Sequence, residues 1–154
     1  EPAEVRIELP LDAHIPHDYI PDERLRLEAY RRLAGAATAA EVDEAVAELV
    51  DRYGRPPQPV TALVDVARLR NRARAAGITE MVAAGTVVRV VGWELPESRV
   101  MRLQRLYPGT IVKPATRTVI LKRPSTARVG GTPLVGADLM AWVGELVDNS
   151  VVAG

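Results

Sequence analysis

Between residues 38 and 60, the sequence TAAEVDEAVAELVDRYGRPPQPV sets Val42, Ala45, Val46, Leu49, Val50 and Tyr53 at helical spacing, giving one apolar face. At about 100° per residue, Glu41, Glu44, Glu48 and Asp51 fall within roughly 80° of one another on nearly the opposite side. Both ends are punctuated. Thr38 and Glu41 make a capping box, and Gly54 followed by Pro56 and Pro57 stops the helix. Like charges three and four apart repel by a few tenths of a kcal/mol per pair, so the acidic stripe is a small cost to the helix that a basic partner would offset. The plainer reading of the stripe is a solvated face, with Arg52 and Arg55 balancing part of its charge.

The rest of the chain divides by period. Val5 to Ala13 alternates as an extended segment, Val5, Ile7 and Leu9 pointing one way, and Pro10 and Pro16 confine it to a sheet edge or an irregular path. Pro21 and Asp22 open a first helix that ends at Gly35, with Leu27, Tyr30 and Ala34 on one side and Leu25, Ala29 and Leu33 near it. After the proline turn, VTALVDVARLRNRARAAG predicts a third helix with Val60, Leu63, Val64, Val66 and Ala67 inward and Gly77 as its C-terminal cap. From Ile78 the period shortens. Two strands joined around Ala84 and Gly85 come first, then a short helix capped by Ser98 and running through Leu106, then two extended runs on either side of a turn at Pro114. RPSTARVGGTPLVG reads as a mobile loop, Asp138 caps a last helix to about Asn149, and the tail VVAG frays. The expected class is α+β: a helical first half followed by a small mixed β-sheet flanked by helices.

At 154 residues and 47% hydrophobic, the chain is long enough for a sizeable core and reads as a single domain spanning residues 1–154. It opens on Glu1 and enters directly as a strand-like segment, so it is expected to be a piece of a longer protein. Twenty basic residues balance twenty acidic ones, and binding therefore falls to local patches. The lack of cysteine excludes a disulfide scaffold and any thiolate site, and fits a cytoplasmic protein. No apolar run has the length of a membrane span, and no membrane partner is expected. Eighteen of the twenty cations are Arg, a bias that fits a GC-rich genome.

Candidate chemistry is sparse. Asp12, His14, His17 and Asp18 lie close together in HIPHDYIPD, but Pro16 keeps the histidines off a common helix face and no distant His completes a zinc site, so no metal is assigned. GxSxG and GxxxxGK[ST] are both absent, and the carboxylates of the second helix lie on an exposed face where they stay ionised. No catalytic residue and no cofactor is therefore expected. Arg68, Arg70, Arg72 and Arg74 invite a nucleic-acid reading, yet residues two apart point about 200° away from each other, so the four split into Arg68 with Arg72 and Arg70 with Arg74. Arg stems packed over apolar surface, with heads paired to carboxylates, account for them more simply. Trp93 and Trp142 read as core or interface anchors. A DNA-binding module using Arg68 to Arg74 is one alternative function. An enzyme with a pocket in the strand-rich half is another.

IPHDYIPDERLRLEAYRRLAGA and AELVDRYGRPPQPVTALVDVARLRNRARAAGI together resemble the C-terminal domain of the bacterial transcription-repair coupling factors, the Mfd family. The resemblance is carried by the order of YIPD, RLxxYRRLA, ELVDRYG, a Pro-containing turn and LxDxARLRxxAxxxGI, from about residue 4 to 78; residues 79–154 match only in alternation and length. It implies a parent that is an ATP-dependent double-stranded DNA translocase, acting on stalled RNA polymerase and recruiting UvrA. It implies that this piece is a non-catalytic, autoinhibitory domain that packs on the N-terminal UvrA-binding module of the same polypeptide. In that family, acidic residues of the ELxDR element meet basic residues of the module, and the matching positions here are Glu48 and Asp51. Glu44 and Arg52 join them as flanking members on helical geometry alone.

Overall fold

The computed structural model describes residues 4–151. Contacts divide the described residues into two compact units: one is Leu11–Asn71, and the other combines residues 4–10 with residues 72–151.

The first unit is helical. Helix α1 (Glu23–Gly35) starts where the Asp22 side chain accepts from the Leu25 amide, and helix α2 (Ala39–Tyr53) starts where Thr38 does the same for Glu41. Helix α3 (Gln58–Ala75) begins two residues before the expected Val60 and contributes its first turns here. The core joins Ile15, Ile20, Leu33, Ala36, Val42, Ala45, Leu49, Val60, Val64 and Ala67. Two expected core positions are corrected on α1 and one on α2. Leu27 is 46% exposed and Ala34 is exposed, because the buried side of α1 is centred on Leu33 and the row of Leu25, Ala29 and Tyr30 below it. Val50, 45% exposed, sits at the margin of the α2 stripe, about 70° from its centre. The tyrosines of this unit tie its irregular N-terminal segment to the helices. The Ile15 amide donates to Tyr30 Oη at 2.7 Å, and Tyr19 Oη donates to the carbonyls of Gly54 at 2.8 Å and Leu49 at 3.2 Å.

The second unit is a five-stranded mixed sheet with helices. Its strands are β1 (Arg6–Glu8), β2 (Glu80–Ala84), β3 (Val87–Val91), β4 (Ile111–Lys113) and β5 (Thr118–Lys122), in the order β1-β2-β3-β5-β4. Only β1 is parallel to its neighbour, and it forms an edge as Pro10 requires. The end of α3 is a Schellman motif. Gly77, at φ +82°, donates to the Arg74 carbonyl, and Ile78 donates to that of Ala73, with both Ile78 and Ala73 buried. β2 and β3 meet in a two-residue turn, Gly85–Thr86, with Gly85 at φ +59°. Alternate residues Met81, Val88, Val90, Val119 and Leu121 are buried, as are Leu103 of helix α4 (Glu97–Leu106) and Leu139, Val143 and Leu146 of helix α5 (Gly136–Val151).

Two expected caps are corrected. Pro96, not Ser98, occupies the N-cap of α4 and offers no side-chain bond; Asp138 lies inside the first turn of α5, two residues past its start. Both helices begin earlier than their polar residues suggested, and Asp138 there favours the positive end of the helix dipole. The loop after β5 is tied back on itself. Ser125 and Pro133 form a bridge, Thr126 donates to Thr132, and Leu134 donates to Pro124. Arg123 anchors it, giving Nε and Nη2 to the Leu134 carbonyl and Nη1 to that of Gly85. Of the tail VVAG, Val151 ends α5 and the remainder lies outside the described residues.

Candidate docking surface on the second helix

The capping box of α2 forms, with Glu41 closing one residue further back than the standard geometry. Thr38 Oγ1 accepts from the Glu41 amide at 3.1 Å, and Glu41 Oε2 accepts from the Ala37 amide at 2.6 Å. At the other end, the Gly54 amide donates to the Val50 carbonyl, and Tyr53 stacks tilted against Tyr19 with ring centroids 5.7 Å apart. The helix that carries the acidic stripe is thus fixed at both ends.

The stripe itself is not uniform. Glu41 is used in the cap, and Glu48 is held between Arg32 of α1 and Arg52, the latter at 3.7 Å, while Asp43, off the stripe, pairs with Arg68 at 2.8 Å. Glu44 and Asp51 are exposed, and among the described residues neither has an ion-pair or hydrogen-bond partner. Seven residues apart, they stand two turns from each other, about 10 Å along the axis. Arg52 lies 5.3 Å from the ring centroid of Tyr53 as well as pairing with Glu48. All four predicted site residues are therefore on one exposed side of α2, but only Glu44 and Asp51 are uncommitted.

Sequence reasoning missed Arg32 and Glu28. They line a groove of about 200 Å³ between α1 and α2, with Leu25, Ala29, Leu49 and Tyr53 as its apolar part and Glu48 and Arg52 on the far rim. The available signal was the i, i+4 spacing of Glu28 and Arg32; Glu28 pairs instead with Arg24 on its own helix at 4.0 Å, while Arg32 reaches Glu48 on α2.

The arginines of α3 are largely spoken for. Arg68 holds Asp43, and Arg72 Nη2 donates at 2.7 Å both to Asp148 and to the Gly144 carbonyl. His14 Nδ1 lies 2.8 Å from Asp12 Oδ1, and among the described residues no group of three or more His, Asp or Glu is arranged to hold a metal ion. Trp93 is buried, and Trp142 meets Tyr107 edge-on with centroids 5.5 Å apart. A groove of about 480 Å³ in the strand-rich unit contains Glu94 and Arg117, paired at 2.9 Å, together with Lys113; the residues whose pKa is displaced, Arg6, Tyr19 and Asp65, lie elsewhere. Among the described residues no helix is long and apolar enough to cross a membrane.

The sequence model of the TRCF domain matches residues 9–100. Transcription-repair-coupling factors of Mycobacterium bovis and Mycobacterium tuberculosis are each 45% identical over 148 residues, 96% of this chain and 12% of theirs. That of Escherichia coli is 41% identical over 78 residues, 51% of this chain and 7% of its own length. The chain thus spans about an eighth of the mycobacterial relatives. The solved C-terminal domain of a transcription-repair coupling factor superposes with a TM-score of 0.73 at 15% identity, covering 97% of this chain and 92% of that one. The chain belongs to the TRCF domain family of the transcription-repair coupling factors, and its α+β fold is that of their C-terminal domain.

Proposed function

We propose that this chain is a non-enzymatic, autoinhibitory interaction domain. It docks through α2 on a basic surface of the N-terminal UvrA-binding module of its parent polypeptide, masks that surface, and restrains the parent's ATP-dependent movement on double-stranded DNA until RNA polymerase is engaged. The observation that carries this reading is the uncommitted pair Glu44 and Asp51 on a helix held rigid by its caps, beside the Glu48 carboxylate that Arg32 and Arg52 position. A carboxylate has about four acceptor sites, so Glu48 retains capacity for a further cation.

Exposed ion pairs contribute only about 0 to 1 kcal/mol each, so a clamp built from two or three of them opens readily. Tethering within one polypeptide compensates, since the linked module is present at a high effective concentration. The test is calorimetric titration of this chain against the separately made N-terminal module at low and moderate salt. Salt-sensitive binding that is lost in Glu44→Arg and Asp51→Arg is expected. Absence of binding by the wild type at high concentration sinks the α2 assignment. Glu48→Arg is the less clean variant, because it leaves Arg32 and Arg52 facing a third cation. The rival in which Arg68 to Arg74 bind duplex DNA is weakened by the commitment of Arg68 to Asp43 and of Arg72 to Asp148.

A further inference from the structure

Helix α4 carries Arg99, Arg102 and Arg105 at i, i+3 and i+6, a single ridge along the helix. Arg68, Arg72, Arg89 and Arg117 each hold a carboxylate, whereas these three have no ion-pair or hydrogen-bond partner among the described residues. Their side of α4 also exposes two large apolar side chains, Met101 at 66% and Leu106 at 45%. Only Leu103 on this helix is buried. Leu106 lies about 20° from Arg99 in projection, and Met101 about 40° beyond Arg105, so cationic and apolar groups share one face. Arg99 and Arg102, both half-buried, border a shallow hollow with Leu95, Leu103, Leu106 and Asn149, and Arg105 is exposed.

Arg and Met are enriched where proteins meet proteins, and the pairing of free cations with adjacent apolar groups asks for a partner that supplies both complements. A phosphate backbone would satisfy the arginines and leave Met101 and Leu106 in water. We propose that the exposed face of α4 is a docking surface for an acidic amphipathic protein helix, one that sets Asp or Glu against Arg99, Arg102 and Arg105 and apolar side chains against Met101 and Leu106. This is a helix-on-helix mode of recognition, with charge fixing the register and the apolar pair supplying area. It stands on α4 alone and does not depend on the role given to α2.

The experiment is fluorescence anisotropy with this chain and three labelled probes: a synthetic helical peptide carrying a row of Glu beside a row of Leu, a peptide of the same composition in scrambled order, and a duplex DNA of mixed sequence. The ordered peptide is expected to bind more tightly than the other two. Arg102→Glu and Arg105→Glu should each weaken it about tenfold, and Met101→Ser should weaken it measurably. Arg105 and Met101 are exposed, so those two variants keep the fold, which a thermal melt verifies. Equal binding of the ordered and scrambled peptides, indifference to Met101→Ser, no binding of the ordered peptide, or tighter binding of the duplex through the same arginines would each overturn the proposal.

Discussion

Tyr19 shows how much one polar atom can organise. Its hydroxyl donates to two carbonyls at the end of α2, and burial, with the neighbouring Tyr53 adding to it, raises its pKa above the ordinary tyrosine value. The raised value means that the folded state holds the phenolic proton more tightly than the unfolded chain. The stability Tyr19 contributes is therefore complete below about pH 10, its ordinary value, and is lost as pH rises through the raised one. Urea titrations across that alkaline range should show a steeper loss for the wild type than for Tyr19→Phe, which in turn should cost about 1 kcal/mol at neutral pH. Thr38→Ala should cost about the same by removing the cap of α2, read from the denaturation midpoint. At this scale the sequence was a partial guide. It placed Glu44, Glu48 and Asp51 on one side of a helix because that follows from spacing. It was silent on Arg32 capturing Glu48, because the pair joins different helices and no local rule brings them together.

Elements whose ends are written in glycine were the most legible. Gly54 at φ +83°, ψ −165° ends α2 in a region essentially reserved for glycine, and no atom lies within 4 Å of where a Cβ would sit. Gly54→Ala should thus cost roughly 1–3 kcal/mol from backbone conformation alone, seen as a lowered melting temperature with an otherwise unchanged circular dichroism spectrum. Helices whose polar residue falls inside the first turn were less legible. Ser98 and Asp138 were both expected to cap helices that start earlier, at Glu97 and Gly136, since a Ser or Asp suits the first turn as well as the cap. Periodicity placed the strands on either side of Pro114 and around Gly85. It could not say that β1 would pair in parallel with β2, a choice made over more than seventy residues of intervening chain.

Across the whole molecule, equal numbers of acids and bases still leave local sets of charges uncommitted. Among the described residues, Glu44 and Asp51 on α2 and Arg99, Arg102 and Arg105 on α4 have no ion-pair or hydrogen-bond partner. Raising ionic strength shortens the Debye length from about 10 Å at 0.1 M to about 3 Å at 1 M. Added salt should accordingly weaken docking at both faces while barely moving the melting temperature, since each compact unit rests on its apolar core; parallel binding and melting series would check this. The loop after β5 has a practical consequence of its own. Arg123 grips the carbonyl of Leu134 from the near side of a tip where Val129 is 91% exposed, and the buried row of α5 lies beyond it. Trypsin should nick the chain after Arg128 under native conditions, and the two fragments should stay together until denaturant is added, which marks this tip as the place to split the protein for complementation or to insert a label.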